Sequence, residues 1–207
     1  AMLRLYETNI CALTSYTQQA LALLPDARCA RAKACRHEKT RLGIIGAGLL
    51  LRTALGADAA ARICRGVYGK PSLPGGPEFS LSHGGSLAVL AVSNVPVGAD
   101  AERLNRTADA VHLERLLTQE EAQWLRETPD ARFSVLWTRK EAVMKAVGLG
   151  LRLAPSAIDV LADTVCAADL TLHLQTLELC GHVVSIASVA DETPEVISFS
   201  PEMLLNR

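Results

Sequence analysis

Val97-Gly98-Ala99-Asp100-Ala101-Glu102 alternates so that, on an extended strand, Asp100 and Glu102 share one face and Ala101 takes the other. Pro96 stands just before it, where a strand is expected to begin. Strand interiors disfavour aspartate, and two carboxylates at i and i+2 repel unless a cation or water separates them. The segment is therefore either the polar outer face of an edge strand or part of a cation site. Further along lies Trp137-Thr138-Arg139-Lys140-Glu141-Ala142-Val143-Met144-Lys145, whose spacing predicts a helix with Glu141 and Lys145 adjacent on one face. Three carboxylates beside two lysines suit a divalent cation that itself holds an anionic, phosphate-bearing substrate.

The helix is predicted to run over 131–147. Its apolar stripe is Phe133, Leu136, Trp137, Met144 and Val147, and its polar face carries Ser134, Thr138, Glu141 and Lys145. Taken alone, that polar face is solvated surface, and a Glu141–Lys145 pair there is worth about 0.2–0.5 kcal/mol. Lys140 projects into the apolar stripe, where it must snorkel, pair with a buried acid, or reach into a cleft between lobes. Pro129-Asp130 offers an N-cap, and Gly148, Gly150 and Pro155 enforce the stop. Upstream, Thr118-Gln119-Glu120-Glu121 is a capping box opening a separate helix.

Toward the N-terminus, Met2–Tyr6 alternates as a short strand. Asp26–Leu55 is proline-free and rich in Ala, Leu, Arg and Lys, which predicts helix ending at Gly56. Gly43, Gly46 and Gly48 weaken the helix unless they admit a close neighbour. Gly66–Pro77 is loop, and Phe79–Ser82 and Leu87–Val92 read as strands joined by His83-Gly84-Gly85-Ser86. With Val97–Glu102 these form an expected antiparallel meander packed on the long helix. Toward the C-terminus, Ala157–Leu161, Leu170–Leu174, Val183–Val189 and Val196–Phe199 read as strands. The plan of helix then strands occurs twice, meeting near Glu102, so pseudo-symmetry is suspected.

At 207 residues the chain has room for one large domain or two small lobes. The net charge of −1 excludes nucleic-acid binding by the chain as a whole, so any anion site is local. No apolar run is long enough to cross a bilayer, and no membrane role is expected. Cys11, Cys29, Cys35, Cys64, Cys166 and Cys180 show neither CxxC nor zinc spacing, which reads as buried thiols in a reducing cytoplasm.

Ser80-Leu81-Ser82-His83-Gly84 ends a strand with a hydroxyl and an imidazole. These suit anion binding by Ser82 and His83, general-base work by His83, or simple capping of a turn. The basic run Arg28, Arg31, Lys33, Arg36, Lys39 and Arg41 is mostly solvated helix face, with one or two members free to clamp a phosphate.

Taken together, Gly69-Lys70-Pro71, Phe79-Ser80-Leu81-Ser82-His83, Val97–Glu102 and Trp137–Lys145 resemble the Sfp-type 4′-phosphopantetheinyl transferases. The order and spacing of all four motifs carry the resemblance. It implies an α+β (α/β two-lobed) pseudo-twofold fold, each lobe a long helix packed on an antiparallel sheet. The expected lobes are 1–102 and 103–207, with coenzyme A and Mg²⁺ between them. It also implies transfer of the phosphopantetheine arm from coenzyme A to a serine of an apo acyl or peptidyl carrier protein, releasing adenosine 3′,5′-bisphosphate. Asp100, Glu102 and Glu141 would then hold Mg²⁺, and Glu141 would help deprotonate the serine. Lys145 and Lys140 would steady the phosphates, and Ser82, His83, Lys70 and a base near Arg31 would take the 3′-phosphate and adenine end. Carrier docking is expected around Val147–Leu153 with Arg152. One chain supplies both walls of such a site, which points to a monomer.

The chain departs from the family at Ala99 and Ala101, where β-branched residues are usual, and at Gly84, where a serine commonly follows the motif histidine. The competing readings are a non-catalytic coenzyme A-binding module and a metal-dependent phosphodiesterase that uses the same carboxylates on water.

Overall fold

The computed structural model describes residues 2–108, 115–128 and 132–206. Strand β1 (Leu3–Asn9) leads through a 3₁₀ segment (Ile10–Tyr16) to α1 (Thr17–Ala22), α2 (Asp26–Ala34), α3 (Glu38–Leu55) and α4 (Ala57–Ala61). A two-residue ladder, β2 (Cys64–Arg65) and β3 (Pro71–Ser72), precedes β4 (Glu78–Gly84), β5 (Leu87–Ser93) and β6 (Val97–Arg103). Helices α5 (Gln119–Glu127) and α6 (Phe133–Val147) follow, then β7 (Thr164–Ala167), β8 (Leu170–Leu179), β9 (His182–Ser188), β10 (Glu195–Phe199) and α7 (Pro201–Leu205).

Two copies of one β-α-β-β topology build the core. In the first, β5 lies between β1 and β4 and is antiparallel to both; in the second, β9 lies between β6 and β8 in the same manner. Helix α3 covers the first sheet and α6 the second. The pseudo-symmetry suspected from the sequence thus exists as topology. Strand β10 extends the first sheet in parallel beside β1, and β7 extends the second.

Strand β6 is not the third strand of a meander. It pairs with β9, from Val97↔Ser188 to Arg103↔His182, and packs its alanine face (Ala99, Ala101) against Leu3, Leu5, Leu87, Val89 and Ala91. The lobes are consequently not consecutive halves of the chain: β6 serves the second sheet while β10 and α7 return to the first. An expected boundary at 102/103 does not separate the two sheets. Small alanines in place of β-branched residues fit this packing, since they bring the sheets close together.

The expected continuous helix 26–55 breaks at 35–37. Unbroken, it would extend about 45 Å; broken, it folds α2 back over α3, where Gly48 lies against Leu24 and Arg28. Gly46 likewise admits Ile10 and Gly43 admits the His83 ring, so the three glycines are close-packing positions.

The expected strand at 157–161 is a 3₁₀ turn (Pro155–Ala157) followed by irregular chain. Its carbonyls are claimed by side chains: Lys140 Nζ donates to Pro155 O (2.9 Å) and to Ile158 O, and Arg139 donates to Val160 O (2.8 Å) and Ala162 O (2.7 Å). Neither alternation nor propensity signals such acceptors.

Helix α6 begins at Phe133 with Arg132 as its flanking residue; the expected cap Pro129-Asp130 and Ala131 lie outside the described residues. Gly148 (φ +76°) ends it in the left-handed conformation that glycine adopts without strain. The capping box at Thr118 is present, with Glu121 N–H donating to Thr118 Oγ1 (3.2 Å) and Thr118 N–H to Glu121 Oε2 (2.8 Å). No disulfide forms among the six cysteines, and none is buried: Cys29 and Cys35 are half-buried and the other four exposed. Among the described residues no helix is long and apolar enough to cross a membrane.

Candidate active site

Helix α6 reaches β6 because Gly98 has no side chain. A Cβ there would lie 1.9 Å from Ala142 O and 2.4 Å from Ala146 N, both backbone atoms. The next residue on that face of β6 is Asp100, which therefore meets the Glu141–Lys145 side of the helix. Lys145 Nζ stands 2.6 Å from Asp100 Oδ1 and donates to Ala99 O at 3.2 Å. The polar stripe of α6 is thus an interior seam: Ser134 and Thr138 are fully buried, and Thr138 Oγ1 lies 2.8 Å from Ser185 Oγ.

The other side of the seam is β4, whose edge lies along the free edge of β6. Two serine hydroxyls join them: Ser80 Oγ accepts from Ala99 N–H (2.9 Å), and Ser82 donates to Asp100 Oδ1 (2.6 Å). Gly84 completes the approach, since a Cβ there would lie 2.2 Å from Ala101 O. A serine at 84 is incompatible with this spacing, which accounts for the glycine. Ser82 is buried and its proton is committed to Asp100, so it orients the aspartate rather than offering a free donor to phosphate.

Glu141 makes no hydrogen bond or ion pair among the described residues. Burial, and next the negative charge of Asp100, push its carboxyl above the usual range, opposed by Lys145 and Arg106. It borders a cavity of about 300 Å³ with Tyr68, Lys70, Leu81, Met144 and Lys145. Across Lys145, Leu81 and Pro71 lies a second cavity of about 260 Å³, lined also by Arg28, Arg31, Arg65, Ser82 and His83. Four cationic side chains and an imidazole around one cavity concentrate positive charge locally in a nearly neutral chain. Burial, followed by the charges of Arg31 and Arg65, lowers the Arg28 pKa to about 10, where the guanidinium is still charged at neutral pH. Burial, then the charge of Lys145, lowers that of His83, with Asp100 opposing.

Of Arg28, Arg31 and Lys33, the first two line this cavity and Lys33 does not. Arg65 is a member that the sequence reading missed; no local motif marks it, and only the β2–β3 ladder brings it there. Lys70 borders the larger cavity, but its ammonium caps the C-terminus of α6 through Ala146 O (3.1 Å) and faces Glu78 (3.4 Å).

Two expected site residues stand elsewhere. Lys140 is fully buried in the second lobe, 2.6 Å from Glu121 Oε2, so it pairs with a buried acid and reaches no phosphate site. Burial lowers its pKa, and the Glu121 pair opposes this. Glu102 pairs with Arg106 and borders a different cavity from Glu141. Asp100, Glu102 and Glu141 therefore do not converge, and among the described residues no three acidic, histidine or cysteine side chains form a metal cluster. The donor chemistry still suits a hard divalent cation. Asp100 and Glu141 approach from facing elements and repel one another in a partly dry seam, and a cation between them would relieve that repulsion.

Residues 96–196, which contain two of the four motifs, match the model of the 4′-phosphopantetheinyl transferase superfamily. The chain is 36% identical over 88 residues to the 4′-phosphopantetheinyl transferase gsp of Aneurinibacillus migulanus, covering 41% of this chain and 37% of that one. It is 33% identical over 123 residues to a 4′-phosphopantetheinyl transferase of Bacillus subtilis, covering 54% of each. To the 4′-phosphopantetheinyl transferase psf-1 of Bacillus pumilus it is 38% identical over 89 residues, covering 40% of this chain and 38% of that one. The matched stretch thus spans about half, or less, of each relative's length.

Proposed function

We propose that this chain, whose residues 96–196 match the model of the 4′-phosphopantetheinyl transferase superfamily, moves the phosphopantetheine arm of coenzyme A to a serine of an acidic carrier protein in the cytoplasm. The observation that carries the reading is the seam itself: Asp100 held by Lys145 and Ser82, with Glu141 unpaired beside it, opening onto a cavity walled by Arg28, Arg31, Arg65 and His83. Coenzyme A has two anionic ends, a pyrophosphate and a 3′-phosphate. The arginine cavity suits the 3′-phosphate, and Lys145, between the two cavities, suits the pyrophosphate.

Phosphoryl-type transfer needs alignment and charge neutralisation more than covalent help. The serine oxygen of the carrier forms a bond to the phosphorus bearing the pantetheine arm, and the bond from that phosphorus to the bridging oxygen breaks. Its electron pair leaves with adenosine 3′,5′-bisphosphate. The serine proton passes to Glu141, directly or through water; a carboxylate raised by burial and by Asp100 is a stronger base than an exposed one. Mg²⁺, held by Asp100 and Glu141, would supply positive charge to the pyrophosphate oxygens. Lys145 holds Asp100 in place and presents its ammonium to the same anion. Carrier docking falls to the segment after α6, where the Arg152 guanidinium lies 5.0 Å from the centroid of the Tyr68 ring, which lines the Glu141 cavity.

Incubation with coenzyme A, Mg²⁺ and an apo carrier protein tests this. A carrier mass gain of one phosphopantetheine arm is the expected result. Hydrolysed coenzyme A with unmodified carrier would establish the phosphodiesterase reading instead, and binding without turnover the non-catalytic module.

A further inference from the structure

Glu102 leaves β6 on the same face as Asp100, yet two contacts turn its carboxylate into the groove of the 103–107 turn. The Arg106 guanidinium pairs with Oε2, and Arg103 N–H donates to Oε1 at 2.9 Å. Arg106 in turn lies over the Trp137 ring, 5.5 Å from its centroid. The turn that carries it is fastened to α6, because Ser134 Oγ donates to Leu104 O. Ser134, Trp137 and Glu141 follow one another along the same side of α6. The helix that supplies Glu141 therefore also supplies the bed on which Arg106 rests.

We propose that Arg106 is a positioning residue that acts as a counter-ion latch: it holds Glu102 aside when no divalent cation is bound and releases it when one arrives. The third carboxylate then joins Asp100 and Glu141 only in the loaded state. This inference rests on the divalent-cation reading given above. A guanidinium suits the task because it is permanently charged and keeps the indole face as a resting place when it gives up the carboxylate. The Arg106 side chain is 42% exposed, so the pair is weak enough to exchange. Asp100 and Glu102 each have a protein cation, Lys145 and Arg106, and Glu141 has none in contact.

The probe is Mn²⁺, followed by the paramagnetic resonance of the free ion, with coenzyme A kept below the protein concentration. Arg106→Gln removes the competitor and is expected to tighten Mn²⁺ binding roughly two- to fivefold, the competition an exposed pair exerts. Arg103→Gln removes the same charge from a side chain that does not hold Glu102, and its effect is expected to be well below twofold. Equal Mn²⁺ affinity in the wild type and Arg106→Gln, or equal tightening by Arg103→Gln, would overturn the latch alone. Absence of Mn²⁺ binding in every form would overturn the cation reading and the latch with it.

Discussion

Replacing Lys140 by methionine separates a structural lysine from a phosphate-binding one. The side chain is fully buried, its ammonium 2.6 Å from Glu121 Oε2, with further bonds to Pro155 O (2.9 Å) and Ile158 O. Glu121 is equally buried and keeps only the N–H groups of Thr118 (2.8 Å) and Val160 (2.9 Å) when the lysine is gone. Methionine preserves most of the stem volume, so the loss is electrostatic. Removing one partner of a buried pair costs about 3–5 kcal/mol, and for a chain of this size each kcal/mol lowers Tm by about 2–4 °C. The expected fall is therefore roughly 6–20 °C, read by calorimetry. Adding Glu121→Gln recovers part of it, since no unpaired charge then remains buried. Coenzyme A affinity, measured well below the melting transition, should be unchanged. A variant that melts within about 2 °C of the wild type while binding coenzyme A more weakly would return Lys140 to the phosphate site and refute the reasoning.

Glu141→Gln tests the seam through pH. The folded-state pKa of Glu141 lies above its unfolded value, so the fold is favoured by protonation and loses stability as pH rises through that raised range. At pH 7–8 without divalent cation the glutamine variant should melt higher than the wild type, the advantage vanishing on acidification; a wild type that melts higher throughout contradicts this. Gly98→Ala drives a methyl into the backbone of α6, where something must shift, and should cost about 1–3 kcal/mol together with most turnover. Native Tm and native turnover in that variant would show that α6 does not rest on β6 as described. His83→Ala should weaken coenzyme A several-fold more than dephospho-coenzyme A, measured by calorimetry; equal loss for both would remove His83 from the 3′-phosphate.

The strand at 97–103 was legible because carboxylates alternating with alanines have one reading in a sheet, yet its partner was not. Alternation states which face a residue takes and is silent on which neighbouring edge it will meet. The glycines of α3 and Gly98 were visible as small residues, but only the packed structure shows His83, Ile10 and the α6 backbone filling the vacated space. Helical periodicity puts Ser134, Thr138, Glu141 and Lys145 on one face but does not show that Ser134 and Thr138 are buried there. Hydroxyls that bond Ser185 and Leu104 O make the face fit for burial. Lys140 and Glu121 each looked odd or ordinary alone; their pairing spans two helices and leaves no local trace. Arg139 escaped for the same reason, since its acceptors are carbonyls of a segment with no motif of its own. Arg28 and Arg31 are not distinguished from Lys33 within the basic run, and Arg65 depends on a ladder of two residues.

The central claim is that the Asp100–Lys145–Glu141 seam carries the transfer. Mass spectrometry of an apo carrier protein incubated with coenzyme A, Mg²⁺ and either the wild type or Asp100→Ala tests it most directly. The wild type should add one phosphopantetheine arm per carrier, and Asp100→Ala, once shown by calorimetry to be folded, should lose at least about 100-fold in rate (roughly 2.7 kcal/mol). A folded Asp100→Ala that modifies the carrier at near wild-type rate would contradict the account.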